Sequence, residues 1–184
     1  PLTLTGLRKN SVQGDKACVE LFKGFGAAIQ WQEDSLVLMN PQSGEPFAGL
    51  VGQTIDAAQV PDLVPVLAAT AACVQGETRI VNAQRLKLKE SDRLAAMTEA
   101  LSSLGADITE TSDGLLIQGK PSLCGGNAPG FRDHRVVMAL SAAALRCESP
   151  VTVTDAESVN KSYPGFYADY QSIGGKADVV HMGE

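Results

Sequence analysis

The 184-residue sequence predicts an α/β domain built from a repeated strand-helix-strand-helix-strand-strand unit. Three observations carry that expectation. Short runs with period-two alternation give way to runs with helical spacing, and then return. The segment Gly24-Phe25-Gly26-Ala27-Ala28-Ile29, where a helix stops and a strand begins, is echoed by Ser103-Leu104-Gly105-Ala106-Asp107-Ile108 and more weakly around Ile173-Gly174. The spacing is that of internal repeats of about 75 residues. Finally, the stretch around residues 68–74 is apolar and small all round, which suits a helix at the crowded centre of stacked units. Helices that alternate with strands must pack on a sheet, and a unit that cannot bury its own apolar face must stack on its copies.

Each element follows from local chemistry. Leu2 and Leu4 alternate with Thr3 and Thr5 before Gly6, the pattern of a short strand. From Gly14 onward Ala17, Leu21 and Phe25 recur at helical spacing and stop at Gly26, a glycine suited to a C-cap. Strands are expected next at 28–31 and 36–39 with Glu33-Asp34 as the turn, then a loop rich in Pro and Gly over 41–52. A strand at 54–57 leads to a helix after Pro61, carried by Leu63, Val66, Leu67, Thr70 and Ala71. Residues 78–81 form a strand, 91–104 a helix ending at Gly105, and 106–110 with 115–118 a strand pair around Asp113-Gly114. A helix starts near Asp133 and runs through Val137, Leu140, Ala144 and Leu145, a strand covers 151–154, and a last helical segment comes after Tyr163-Pro164. One domain is expected over 1–175, its first unit lacking the opening strand and helix, with a C-terminal tail at 176–184.

Composition narrows the function. At 44% hydrophobic and 20% charged, the chain is an ordinary globular domain with one substantial core. Its net charge of -6, and the absence of any long Lys or Arg run, argue against nucleic acid. An anionic ligand would need basic groups gathered locally. The four cysteines, Cys18, Cys73, Cys124 and Cys147, are far apart with no CxxC pair, so they read as small buried or half-buried side chains. Neither a metal nor a cofactor is expected. The longest apolar stretch, near 64–74, is about half the roughly 20 residues of a membrane span. No signal peptide or anchor is visible in a chain that opens at Pro1, and the cytoplasm is the expected compartment.

Polar residues cluster at helix starts. In Lys89-Glu90-Ser91-Asp92-Arg93, Ser91 is a candidate N-cap with Asp92 and Arg93 in the first turn. Free N–H groups there favour an anion, and a cation at this end opposes the helix dipole unless an anion compensates it. Phe131-Arg132-Asp133-His134-Arg135 repeats the arrangement. Asp62, after Pro61, is either another N-cap or a carboxylate that exchanges a proton with a substrate hydroxyl. Lys161, in Asn160-Lys161-Ser162-Tyr163-Pro164, is either a solvated turn lysine or a phosphate or carboxylate partner. Arg79, Arg85, Lys87 and Arg132 are further basic positions near the same edge. Trp31, with Phe22, Phe25 and Ile29, reads as core packing.

Taken in order, Pro61-Asp62, Lys89 to Leu94, Asp133-His134-Arg135 and Asn160 to Pro164 resemble the signature segments of the enolpyruvylshikimate-phosphate synthases, with matching separations from Thr3 to about Gly175. The resemblance implies an enolpyruvyl transferase-like, inverse α/β-barrel-like fold. Its units surround buried parallel helices, and this chain is most of the C-terminal domain of a two-domain enzyme. It implies transfer of the enolpyruvyl group of phosphoenolpyruvate to shikimate 3-phosphate, in a cleft that also admits glyphosate. By the same resemblance Asp62 faces the acceptor hydroxyl, Lys89 touches both substrates, and Glu90 serves proton transfer at the methylene carbon. Arg93, Arg135 and Lys161 clamp phosphoenolpyruvate beside His134. Arg85 stands where some members have asparagine and receives no role. The absent N-terminal domain is expected to leave this chain inactive alone. Two alternatives remain: a UDP-N-acetylglucosamine enolpyruvyl transferase, and a non-catalytic anion-binding α/β fragment.

Overall fold

The computed structural model describes residues 2–39 and 48–180. Most of the loop expected over 41–52, and the end of the expected tail, lie outside the described residues. Strand β1 (Leu2–Thr5) leads through a 3₁₀ turn (Gly14–Ala17) into α1 (Cys18–Gly24), β2 (Ile29–Gln32) and β3 (Ser35–Leu38). These strands form an antiparallel sheet in the order β1-β3-β2. Next come β4 (Thr54–Asp56), a 3₁₀ turn (Pro61–Leu63), α2 (Val64–Ala71), β5 (Glu77–Val81), a 3₁₀ turn (Gln84–Leu88) and α3 (Arg93–Ser103). Strands β6 (Asp107–Glu110) and β7 (Leu115–Gln118) complete a sheet ordered β4-β5-β7-β6. The chain ends with β8 (Gly126–Ala128), α4 (His134–Ala144), β9 (Val151–Val153), a 3₁₀ turn (Ala156–Lys161) and α5 (Phe166–Ser172).

The alanine-rich helix α2 is the centre. Val64, Leu67, Ala68 and Ala71 have no exposed surface, and α2 packs on α4 and α3. Small side chains let these helices approach closely, and the main core gathers around them with Ile55, Ile80, Leu94, Met97, Leu101 and Leu140. A smaller cluster of Val19, Ile29 and Leu36, with Phe22 and Trp31 against it, lies under the first sheet. Phe25 belongs to the main core instead.

Three helices stop in the same way. The N–H groups of Gly26 and Ala27 bond back to Lys23 and Phe22, those of Gly105 and Ala106 to Ser102 and Leu101, and those of Gly174 and Gly175 to Gln171 and Tyr170. Gly26, Gly105 and Gly174 all have φ near +100° (104°, 90° and 103°), the left-handed step of a Schellman cap. Gly105 has a second reason to be glycine. A Cβ there would lie 2.7 Å from Sγ of Cys124. Cys124 packs over that turn and is exposed, which corrects the expectation that every cysteine would be at least half-buried.

Helix starts also differ from expectation. Ser91 does not cap a helix: α3 begins at Arg93, and the Asp92 carboxylate accepts from the N–H groups of Leu94 and Ala95. Asp62 is not an N-cap either, because it sits inside a 3₁₀ turn whose N-cap is Val60. Pro164 lies before Gly165, the N-cap of α5, so the last helix starts later than the proline suggested.

Strand direction brings the polar segments together. β4 pairs parallel with β5, and β8 parallel with β9. Parallel partners deliver the turns and helices at their C-terminal ends to the same edge of the sheet. Asp62 and the 89–93 segment therefore leave one sheet together, as the 133–135 segment and Lys161 leave another.

Candidate functional site

Arg93 is the hub of the site. It is the first residue of α3, and its side chain is 1% exposed. Nε donates to Oδ2 of Asp133 at 2.8 Å, and Nη2 to Oδ1 of the same carboxylate at 3.2 Å. Nη2 also donates to Glu90 at 2.8 Å, and Nη1 to Asp62 at 2.9 Å. One guanidinium thus ties together three carboxylates from three segments.

The other cations close around the same groups. Nζ of Lys89 lies 3.1 Å from Oδ1 of Asp62. Arg135 donates through Nη1 to the Asp62 carbonyl at 2.9 Å and through Nη2 to its carboxylate at 3.3 Å, across 73 residues of sequence. Nζ of Lys161, at the end of its 3₁₀ turn, donates to Glu90 at 2.8 Å. The structure therefore brings Asp62, Lys89, Glu90, Arg93, Arg135 and Lys161 into one cluster.

Its electrostatics stem from those contacts. Burial pushes the Asp62 carboxyl up, but the hydrogen bond from Lys89 and the charges of Arg135, Lys89 and Arg93 prevail and hold it below the usual carboxylate value. Glu90 is held to about 2, chiefly by the hydrogen bond from Lys161. Asp133 is fully buried, which raises its pKa, yet its bonds with Arg93 overcome that and the net direction is down. Burial likewise works against the Arg93 charge, and the carboxylates reverse it. All three carboxylates are ionised near neutral pH. Lys89, Arg93, Arg135 and Lys161 carry one positive charge more than Asp62, Glu90 and Asp133 carry negative. In a chain of net charge -6, the cluster is a local positive island.

His134 comes after Asp133 at the start of α4 and is buried, which lowers its pKa and keeps it neutral near pH 7. Among the described residues its buried Nδ1 has no hydrogen-bond partner, and the nearest Asp133 oxygen, at 3.9 Å, is beyond hydrogen-bond reach.

The remaining basic candidates are elsewhere. Arg79 pairs with Glu77 and Lys87 with Glu110. Arg132 is 91% exposed, 4.0 Å from Asp155. Arg85 is exposed. A surface cavity of about 950 Å³, lined by Lys9, Val12, Lys16 and Trp31 among others, includes none of the cluster residues. The cluster is identified by convergent charge, not by that hollow.

Two participants escape sequence reasoning. Asp133 reads in sequence as a routine N-cap, and Ser91 as another; in the structure the Ser91 hydroxyl donates to Asp133 at 3.0 Å. The one signal that could have found them is the match between the two helix starts, which does not say that they touch.

A family model described as EPSP synthase (3-phosphoshikimate 1-carboxyvinyltransferase) matches residues 1–169. A 3-phosphoshikimate 1-carboxyvinyltransferase of Clostridium kluyveri is 43% identical over 183 residues, covering 100% of this chain and 41% of the relative. One from Clostridium acetobutylicum is 46% identical over 178 residues, covering 97% of this chain and 40% of the relative. The chain thus spans about two fifths of the length of these curated relatives. Among solved structures, an EPSP synthase of Acinetobacter baumannii aligns with a TM-score of 0.80 at 29% identity, over 94% of this chain and 41% of that one. The enolpyruvyl transferase NikO of Streptomyces tendae aligns at 0.69 with 19% identity, over 96% of this chain and 39% of its own, a likeness of fold.

Proposed function

The chain belongs to the EPSP synthase family, and from that premise we propose that it is part of a transferase moving the enolpyruvyl group of phosphoenolpyruvate to the 5-hydroxyl of shikimate 3-phosphate. The products are 5-enolpyruvylshikimate 3-phosphate and phosphate, on the route to chorismate and aromatic amino acids. The observation that carries the reading is the convergence of Arg93, Arg135, Lys89 and Lys161 on Asp62 and Glu90.

Phosphoenolpyruvate carries a carboxylate and a phosphate. Two guanidinium forks and an ammonium suit both groups, with His134 beside them. In the proposed reaction the acceptor oxygen bonds to C2 of phosphoenolpyruvate while Asp62 takes the hydroxyl proton and Glu90 gives one to the C3 methylene. The resulting tetrahedral adduct gives a C3 proton back to the Glu90 carboxylate as the C2–O bond to phosphate breaks and the C2–C3 double bond returns, and the departing phosphate takes up the proton held by Asp62. Lys89 contacts both substrates in this reading.

The donors proposed to hold the substrate anion are paired with Asp62 and Glu90 in the structure. An incoming anion draws Lys161 and Arg93 off Glu90, and its own charge disfavours a second ionised group nearby. Glu90 thereby becomes easier to protonate at the moment a proton donor is required.

Glyphosate, an anion of similar charge distribution, competes for the same cations. An N-terminal domain of the same enzyme supplies the opposite wall, and the isolated chain is inactive. A cytoplasmic location suits the small anionic substrates; among the described residues no helix is long and apolar enough to cross a membrane. The test is turnover by the full-length protein. Phosphate release from phosphoenolpyruvate that depends on shikimate 3-phosphate is expected; turnover with UDP-N-acetylglucosamine in its place would overturn the assignment.

A further inference from the structure

We infer that Asp133 is a positioning residue for the anion site, its buried carboxylate fixing both the side edge of Arg93 and the helix start that carries Arg135. The inference rests on the reading of Arg93 and Arg135 as phosphoenolpyruvate-binding groups.

Asp133 has no exposed surface and accepts four hydrogen bonds: from Nε and Nη2 of Arg93, from the Ser91 hydroxyl and from the backbone N–H of Arg135. A guanidinium has two edges that can meet a carboxylate in parallel. Asp133 occupies the Nε–Nη2 edge, where no ligand can reach it. What remains is the end of the fork, Nη1 and Nη2, which points at Asp62 and Glu90. The rotation of Arg93 about its long axis is therefore set by a residue 40 positions away in sequence.

The same carboxylate sets the second fork. By accepting from the Arg135 N–H it fixes the first turn of α4, from which the Arg135 side chain reaches Asp62. The approach to Asp133 is itself unusual. Phe131 and Arg132 are consecutive non-glycine residues in the left-handed region, at φ 55° and 52°. Gly130 before them has no room for a Cβ, which would lie 2.1 Å from the Thr154 carbonyl oxygen. The Asp133 N–H closes this turn on the Gly130 carbonyl. Strained backbone of this kind persists only where its surroundings hold it, and here it carries the carboxylate inward. A simple N-cap needs neither full burial nor contact with another helix.

The experiment compares Asp133→Asn, Arg93→Gln and the double variant in the full-length enzyme. Phosphoenolpyruvate affinity, kcat and thermal midpoint are read for each. Asp133→Asn keeps an acceptor for the Arg135 N–H but sets an NH₂ group or an uncharged oxygen against Arg93, releasing its orientation. It is expected to weaken phosphoenolpyruvate about tenfold to a hundredfold, the range for one charge-assisted contact. In the Arg93→Gln background the same change should cost no more than about twofold, because residues acting as one unit are not additive. Multiplying losses, or a lowered thermal midpoint with affinity unchanged, would overturn the inference and leave Asp133 purely structural. If Arg93→Gln itself leaves affinity intact, the site assignment falls and this inference with it. Should Asp133→Asn not fold, Ser91→Ala removes only one donor to Asp133. It is expected to weaken binding by a few-fold in the native background alone, and unchanged affinity there would also overturn the inference.

Discussion

The starts of α3 and α4 share their chemistry and differ in burial. In α3 the capping residue Asp92 is exposed and the arginine beside it, Arg93, is buried. In α4 the capping residue Asp133 is buried, and Arg135, two places on, has a side chain 30% exposed. Each helical residue turns the side chain by about 100°, so the inserted His134 swings Arg135 off the face that Arg93 occupies in α3. The buried arginine of one helix then finds its partner in the buried aspartate of the other. Neither helix start is electrically complete without its counterpart, and the caps that look alike have different work: one ends a helix in water, the other joins two helices.

The strongest way to break the contrast is to remove the buried half of α3. Arg93→Met should leave Asp133 charged, buried and unpaired, costing about 3–5 kcal/mol of stability in urea unfolding. Asp92→Ala, losing an exposed cap, should cost only about 1 kcal/mol. Similar losses from both would mean that burial does not separate the two sites.

The outward arginine of α4 should behave in the opposite way. Asp133 caps the helix through the backbone of Arg135 and not its side chain. Arg135→Ala in the full-length enzyme is accordingly expected to weaken phosphoenolpyruvate and glyphosate together, by about 1.5–3 kcal/mol in calorimetric titration. Its urea midpoint should move far less than that of Arg93→Met.

The smallest expected effect concerns Glu90, which joins Arg93 to Lys161. Its carboxyl is held at about 2, below an ordinary 4.5, so folding favours the ionised form. That contribution is fully present above about pH 4.5 and fades as the pH falls toward 2. With the side chain 30% exposed, screening by solvent keeps it modest. Glu90→Gln should flatten the decline of stability across that window and leave its slope between pH 6 and 8 unaltered; an unchanged acid limb would show that Lys161 does not hold Glu90 ionised.

Much of the fold was legible because its signals are local. The Schellman stops at Gly26, Gly105 and Gly174 depend on a left-handed residue that glycine adopts freely, so the letters alone mark them. Strand β8 gave no such signal: Gly-Asn-Ala has neither branched side chains nor alternation, and it is a strand only because β9 pairs with it. The cap expected at Ser91 fails for a related reason. Ser and Asp are comparable N-caps, and the choice between adjacent candidates fell to Asp92 once the Ser91 hydroxyl had Asp133 to bond.

The sequence by itself determined the alternation of elements, the helix stops, the apolar centre and which residues are chemically able to hold an anion or move a proton. Those properties depend on side-chain type and short-range spacing. Only the tertiary structure decided that Asp62, Glu90, Arg93, Arg135 and Lys161 meet, that Asp133 is a buried hub, and that the cations are already paired. The physical reason is that these contacts join segments as many as 73 residues apart, brought to one place by the parallel pairing of β4 with β5 and of β8 with β9 and by the packing of α2 and α3 on α4. Hydrogen-bond geometry of a few tenths of an ångström is set by that packing, and no pattern along the chain encodes it.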